Sequence, residues 1–412
     1  MKIYFKNSFI LSDLNLKEIS RYNFEYDNEH SSSFTEVSLF HGNAIDNKLV
    51  VIGTSIIENQ SKEAIKGHLY LIEIDQNNNY SMKKISEIET RGGVNKVISS
   101  RNIIYACIGN ILYIYKLKQL SDNSYEFQLI KRFTDFILIN DIKIWDDKID
   151  EIDIKNDLSD KKNNNENMEK ENNNIIINNM KIDYLIISDI NRSIGIYSYD
   201  VEGNKLNEIC RDYSSTWVYS FAQLKNNLLY ITDIDGNIIS LKRNLEPVKE
   251  NDEIKLERIA YYNYGERINS MILTKIKNKD LYRLSSDYKK DDIDNLDEKN
   301  DEVQIVFFST LEGSIGQIIQ INEDIFNFLK ALQDLLIKKV ENIGNFSYDK
   351  WKNYNDEIIS KESKGFIEGD IIEKFLNNDE VYKKQILNQL NYSWNKSYHD
   401  VIHILEILAN NH

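Results

Sequence analysis

Apolar residues recur along most of this chain with a period of two, in short runs cut off by Asn, Asp, Gly and Ser, the pattern of brief β-strands joined by tight turns. It is plainest between Lys181 and Ser220, where residues 184–188, 194–199 and 208–213 predict three consecutive strands ending at a Ser-Ser-Thr corner before Trp217. Connections this short leave no room for a crossover helix, so the strands must run as an antiparallel meander. Such a unit belongs to a propeller blade or a sandwich and not to a dinucleotide-binding fold.

The same grammar extends in both directions. Residues 1–25 predict two strands, with turns at Lys6-Asn7 and Asp13-Leu14-Asn15. Four-strand units follow at 34–39, 49–56, 68–74 and 80–88, then at 94–99, 103–108, 111–117 and 125–133. A third unit adds 136–145 to the opening stretch, a fourth spans 218–224, 228–233, 238–242 and 254–262, and a fifth comprises 268–276 and 303–321. The spacing carries more weight than any one strand. Leu69 to Leu112 is 43 residues and Ile194 to Ile238 is 44; Leu112 to Ile194 is 82, which becomes 47 without the 35-residue insertion at 146–180. A repeat of roughly 40–45 residues is that of a four-stranded propeller blade. Two charged, Asn-rich insertions, 146–180 and 278–302, fall between the first and second strands of their blades and are expected to be disordered, because they cannot bury enough apolar surface to fold. About five blades are visible and the first starts midway, so the expectation is a partial β-propeller over 1–321, completed by residues outside this chain.

After Ile321 the period changes to about 3.6. Asn322 is an N-cap followed by Glu323 and Asp324, and Ile325, Leu329, Leu332, Leu336, Val340 and Ile343 predict one helix closed by Gly344. Ser347 opens a second that carries Trp351, Asp370 with Glu373 predicts a capped helix over 371–376, 381–390 predicts another, and Ser397 starts the last, with Val401, Ile402, Leu405 and Leu408 on one face. Residues 322–412 thus form a small α-helical domain after the mainly β part.

Charge refines this picture. The formal net charge is −15, of which −9 sits in the two insertions, and no basic stripe marks a nucleic-acid footprint, so direct DNA or RNA binding by this chain alone is disfavoured. No apolar run approaches the roughly 20 residues of a membrane helix, and the N-terminus lacks the features of a signal peptide, so an intracellular location is expected. Cys107 and Cys210 sit inside strand patterns and read as reduced core residues. No phosphate-binding glycine loop, nucleophile elbow or metal-ligand pair is present, and His399 and His403 read as surface or packing histidines; no catalytic residue, metal or cofactor is expected.

Four passages carry a resemblance: RGGVNKV at 91–97, SDINRSIGIYSY leading into ICRDYSSTWVYS over 188–220, STLEGSIGQI at 309–318, and GFIEGDIIEKFL at 365–376 with the terminal ILEILANNH. In this order and spacing they resemble the C-terminal third of the damaged-DNA-binding protein 1 family, large subunits of the UV-damaged-DNA-binding complex and adaptors of cullin-4 ubiquitin ligases. That family shares its propeller with cleavage/polyadenylation-factor A-subunits and splicing factor 3b. The resemblance implies a non-catalytic nuclear (also cytoplasmic) scaffold linked to DNA repair, whose partners are WD-repeat substrate receptors and the adaptor's remaining propellers. Cullin-4 and nucleic acid would be reached only indirectly, and no membrane is involved. The alternative is a propeller subunit of an RNA-processing complex. Receptor-facing positions carried over by the resemblance are Glu63, Phe136, Ile139, Ile190, Arg192, Arg211 and Trp217. The residues themselves leave two readings open: Trp and Arg are the usual interface anchors, but Trp217 also suits a plug between blades, and Arg211 with Asp212 a local ion pair. Asn95 and Glu312 stand where the family has tyrosine and asparagine, two departures that leave the choice of receptor open.

Overall fold

A computed structural model describes residues 7–26, 28–37, 48–57, 63–100, 102–120, 124–145, 182–225, 227–244, 250–285, 302–339, 348, 363–390 and 396–410. Contacts divide the chain into two compact units, 1–218 with 244–256, and 219–243 with 257–412.

In the first unit a two-stranded sheet, β1 (Ser8–Ser12) and β2 (Glu18–Asn23), precedes three four-stranded antiparallel meanders. The first holds β3 (Glu29–Val37), β4 (Lys48–Ile56), β5 (Gly67–Asp75) and β6 (Ser81–Thr90). The second holds β7 (Val94–Ser100), β8 (Ile103–Ile108), β9 (Ile111–Gln119) and β10 (Tyr125–Phe133). The third holds β11 (Ile139–Ile144), β12 (Ile182–Asp189), β13 (Ser193–Asp200) and β14 (Lys205–Arg211). Neighbours in sequence are neighbours in each sheet, as expected for propeller blades. Strand β8 shows why they stack. Its side chains alternate, so Ile104, Ala106 and Ile108 pack with Val51, Leu69 and Leu71 of the preceding sheet, while Ile103, Tyr105 and Cys107 pack with Ile139, Leu185 and Ile187 of the next. A strand apolar on both faces is buried on both, as all six of its residues are. The single turn α1 (Glu250–Glu253) lies in the returning segment, where Arg211 N–H donates to Ile254 O at 3.0 Å.

The second unit contains β15 (Val218–Leu224), β16 (Leu228–Asp233), β17 (Asn237–Arg243) and β18 (Leu256–Asn263), again in sequential order. A further sheet has only three strands, β19 (Ile268–Lys277), β20 (Glu302–Thr310) and β21 (Ile315–Ile319). The expected single strand over 303–321 is thus two, because Thr310 N–H donates to Ser314 O and Gly313 takes a positive φ of 102° that closes the turn. Among the described residues, four sheets therefore have four strands, one has three and β1 with β2 makes a sheet of two.

The second insertion is not wholly without structure. Residues 279–284 form α2 (Lys279–Leu284), capped by Asn278, with Leu281, Tyr282 and Leu284 buried. That corrects the expectation of disorder from 278 onward: Leu281 and Tyr282 find a core against Val303 and Ile305, and Leu284 joins the apolar cluster of the helices that follow. The first insertion, 146–180, lies outside the described residues.

The helices that follow are α3 (Glu323–Ile337), α4 (Gly369–Leu376), α5 (Glu380–Asn388) and α6 (Tyr398–Ala409), sharing one apolar cluster. Asn322 caps α3 as expected, through its side chain to Ile325 N–H, but the helix stops at Ile337, with Lys338 as C-cap. Gly344 and Trp351 lie outside the described residues. Asp370 is not the cap of α4. The N-cap is Glu368, whose carboxylate makes no capping bond and instead accepts from the phenols of Tyr262 and Tyr348. On α6, Val401, Ile404 and Leu405 are buried, with Ile402 and Leu408 half-buried.

Candidate functional site

Four of the residues expected to face a partner, Ile190, Arg192, Arg211 and Trp217, lie where three connections of the third sheet meet. Asp189, at the end of β12, accepts from Ile137 N–H at 2.7 Å and Asn191 N–H at 3.2 Å. Ile190 N–H donates to Leu138 O at 3.1 Å, and Arg192 Nη1 to Asp135 O at 2.6 Å, so the turn into β13 is tied to the loop before β11. Ser193 takes the left-handed region at φ 58° and donates through Oγ to Asp212 Oδ2 at 2.7 Å. Asp212 also accepts from Ser214 Oγ at 2.5 Å, and Ser214 Oγ lies 3.0 Å from Thr216 Oγ1. The Ser-Ser-Thr corner is thus a hydrogen-bonded turn that fixes the backbone leading to Trp217.

This lacing decides which side chains are outside. Trp217 is 40% exposed, Tyr213 50% and Ile137 52%. Arg192, Ile190 and Arg211 are half-buried beside them. The Arg211 guanidinium carbon sits 4.5 Å over the Tyr213 ring, and its Nε lies 3.7 Å from Glu208 Oε1. Arg211 therefore turns toward Tyr213 and Glu208 while its neighbour Asp212 is taken up by serines, because successive residues leaving a strand point to opposite sides. A cation held against an aromatic ring is a preorganised contact, with less side-chain freedom left to lose on binding.

Phe136 and Ile139 are placed differently. Both are buried in the core between the second and third sheets, where Phe136 meets Tyr197 edge-on at 5.7 Å. Burial pushes the Tyr197 phenol well above its ordinary value, with the Glu208 carboxylate adding to the shift. These residues support the rim from below. Asn95 stands next to Ile139, donating to its carbonyl at 2.9 Å. Glu63 is exposed in the β4–β5 loop, next to Ala64, whose Cβ would lie 2.7 Å from a Cβ placed on Gly93. Ile137 and Tyr213 are the residues that sequence reasoning passed over. Tyr213 was detectable, two positions after Arg211 where the strand ends; Ile137 was hidden inside a run that read as strand.

A second polar constellation lies in the first sheet. Glu29 Oε1 accepts from Thr54 Oγ1 at 2.5 Å and lies 2.8 Å from His68 Nδ1, while Tyr70 OH donates to Oε2 at 3.0 Å. A carboxylate, an imidazole and a hydroxyl are the components of nucleophilic catalysis, but here both hydroxyls and the imidazole converge on the carboxylate, and the hydroxyl of Thr54 meets His68 only at its backbone. Here Glu29, Thr54 and Tyr70 are fully buried and Tyr26 stacks on His68 at 5.4 Å, so no substrate atom reaches the hydroxyl. The arrangement works as an internal clasp. Among the described residues, no group of three or more His, Cys, Asp or Glu side chains is placed to hold a metal, His399 and His403 are exposed, and no helix is long and apolar enough to cross a membrane.

The family model described as the CPSF A subunit region matches residues 7–143 and 157–377. The chain is similar to DNA damage-binding protein 1 of Oryza sativa subsp. japonica, at 22% identity over 84% of this chain and 27% of the relative. It is similar to DNA damage-binding protein 1b of Arabidopsis thaliana, at 22% identity over 79% of this chain and 25% of the relative, and to DNA damage-binding protein 1 of Drosophila melanogaster, at 24% over 56% and 20%. The chain spans about a quarter of the length of these relatives.

Proposed function

We propose, for a chain that belongs to the family of the CPSF A subunit region, the role of a non-catalytic scaffold that docks other proteins on the rim of its third sheet. The observation that carries this reading is the lacing of 135–138, 189–193 and 212–216 by hydrogen bonds, which leaves Ile137, Tyr213 and Trp217 outside with Arg192 and Arg211 between them. Exposed aromatic and Arg side chains on a rigid frame are the composition of an interface hot spot. Ile190, Arg192, Arg211 and Trp217 are the contacting residues of the rim in this proposal, Glu63 adds a contact from the β4–β5 loop of the first sheet, and Phe136 and Ile139 support the rim.

The named relatives are DNA damage-binding proteins, and by analogy the docked partners are WD-repeat substrate receptors of a cullin-4 ligase in the nucleus, with the cullin reached through the adaptor's other propellers. Fold analogy supplies that partner class; the rim supplies the binding surface. The family description favours a second reading, a scaffold in an RNA-processing assembly. One experiment separates them. The tagged full chain is expressed in cells, and captured proteins are identified with and without ribonuclease, alongside a Trp217→Ala, Arg192→Ala variant. Enrichment of WD-repeat proteins that resists ribonuclease and is lost in the variant supports the adaptor role. Ribonuclease-sensitive recovery of cleavage or splicing subunits overturns it in favour of the second reading.

A further inference from the structure

The outer strand pair of the second sheet, β9 and β10, carries four cations, Lys116, Lys118, Lys131 and Arg132, and a single carboxylate, Glu126. All four cations are exposed, and none has an ion-pair or hydrogen-bond partner among the described residues. The neighbouring sheets are built otherwise. In β5 and β6 two lysines stand among four carboxylates, with Lys84 paired to Glu25 and Glu87. In β13 and β14 two cations stand with two carboxylates, and Arg211 lies beside Glu208. In a chain of net charge −15, the excess of cations on β9 and β10 is local and uncompensated.

Register puts three of these cations on one face. Lys116 is opposite Gln128 and Lys118 opposite Glu126, while a bulge between Leu129 and Lys131 sets Lys131 opposite Ile114. Residues directly opposite in an antiparallel pair point to the same side, and Ile114, Lys116 and Lys118 alternate onto one side of β9. The bulge inserts Ile130, which packs into the core shared with the third sheet, and so delivers Lys131 to the lysine face; strict alternation from Gln128 would turn it away. Lys131, Lys116 and Lys118 thus occupy successive rows, about 6.8 Å apart along the strand. Lysines commonly discourage pairing at a sheet edge, but β9 is not an edge, since β8 and β10 flank it. The second sheet is itself packed between two others of its unit, so this face does not depend on where the chain begins or ends.

We infer that this face docks an extended, Asp- or Glu-rich segment of a partner protein, whose carboxylates at every second residue meet Lys131, Lys116 and Lys118 in turn. Side chains of an extended segment recur on one side at the same interval as the lysine rows, and the cations select the sign of the guest. Nucleic acid fits less well. Three lysines neutralise about three phosphates, fewer than the roughly six to ten of a strong DNA binder, and Glu126 opposes them. The aromatic ring on this face, Phe133, is turned edge-on to Tyr199 at 6.2 Å and offers a base no stacking platform. The inference uses none of the rim residues, so its failure leaves the proposed scaffold role standing.

The test is fluorescence polarisation with the full chain and a fluorescein-labelled peptide of alternating glutamate and serine. Its glutamine–serine and lysine–serine counterparts and an oligouridylate of equal length serve as controls. The glutamate peptide binds, weakens as salt is raised, and exceeds both counterparts by about tenfold or more. The triple variant Lys116→Gln, Lys118→Gln, Lys131→Gln lowers its affinity by about tenfold and each single change by about two- to threefold, with an unchanged thermal melt because the side chains are exposed. Glutamate at all three positions moves the preference to the lysine peptide. Acylation of lysines by a soluble active ester, read by mass spectrometry, locates the contact: Lys116, Lys118 and Lys131 react in the free chain and are protected by the glutamate peptide. Equal binding of the peptides, or binding that the triple variant keeps, overturns the inference. So does tighter binding of the oligouridylate, which makes the face a nucleic-acid site. Protection of the three lysines without peptide overturns it as well: at high dilution it puts acidic residues of the chain itself on the face, and where it grows with protein concentration it puts a second copy there.

Discussion

His68 Nδ1 lies 2.8 Å from Glu29 Oε1 although 39 residues separate them, and both side chains are buried. The contact joins the first strand of a sheet to its third through Thr54 on the strand between, so one carboxylate ties three strands together. Glu29→Ala removes the acceptor of Tyr70 OH and the partner of His68 Nδ1 and leaves Thr54 Oγ1 only the long contact to His68 O at 3.3 Å, at about 1–3 kcal/mol for each unsatisfied group before relaxation. We expect at least ~3 kcal/mol of destabilisation for Glu29→Ala against about 1 kcal/mol for Tyr70→Phe. Urea titrations read by linear extrapolation check the order. Equal costs for the two variants would show that Glu29 is not the hub.

Close approach between sheets sets a second expectation. A Cβ on Gly53 would stand 2.5 Å from Val94 Cγ1, with Ser32 Oγ donating to both Gly53 O and Val94 O nearby. Gly53→Ala should cost about 1–3 kcal/mol by overpacking. Adding Val94→Ala opens room for the new methyl, so the double variant should be more stable than the sum of the single costs predicts. A double-mutant cycle by thermal or urea unfolding reads that coupling, and additivity would place the strain elsewhere.

Much of the fold was legible because central propeller strands are apolar on both faces and recur at a fixed interval. Leu69, Leu112, Ile194 and Ile238, the residues whose spacing defined the repeat, all lie near the start of the third strand of four successive sheets. Outer strands were harder. β3 begins at Glu29 and not at Phe34, because its Ser31-Ser32-Ser33, the first two exposed, reads as a turn when only the pattern is available. Likewise α2 is too short to show a period, and its burial depends on β20, beyond the insertion. The D-x-x-E spacing at Asp370 misled for a non-local reason: the capping position is Glu368, and its carboxylate is claimed by Tyr262, 106 residues earlier. At the candidate site, Trp and Arg at strand ends were detectable as types. Which of their neighbours faced outward depended on hydrogen bonds between segments about 50 residues apart, such as Ile137 to Asp189.

That division between rim and support is itself testable. Phe136 is 5% exposed and Trp217 40%. Phe136→Ala should therefore cost about 3–5 kcal/mol of stability, whereas Trp217→Ala should cost far less and act mainly on partner capture. Tyr213→Ala should resemble Trp217→Ala and also release Arg211 from its ring contact. Melting temperatures and capture measured on the same samples separate the effects. A Trp217→Ala variant as unstable as Phe136→Ala would make Trp217 a plug between sheets and remove the rim.

The last helix offers a prediction with a definite sign in pH. Ser397 and Asp400 form a reciprocal capping box: Ser397 Oγ accepts from Asp400 N–H at 3.3 Å, and Asp400 Oδ2 accepts from Ser397 N–H at 3.0 Å. Hydrogen bonds from Ser397, its side chain first, hold the Asp400 carboxyl below the ordinary carboxylate range. A carboxyl depressed in the folded state stabilises it above the unfolded value, about 3.9, and that contribution is lost as pH falls through the lower folded value. Asp400→Asn should therefore flatten the stability curve on the acid side of pH 4 while changing neutral stability modestly. Ser397→Ala should cost about 1 kcal/mol at neutral pH, since it removes the acceptor at the helix start. Because α6 shares its core with α3 and α4 through Val401, Ile404 and Leu405, the loss should appear as a shift of the whole cooperative melt of that cluster and not as local fraying. Hydrogen exchange resolved by segment distinguishes the two outcomes, and loosening confined to 396–400 would mean that α6 owes its position to packing alone.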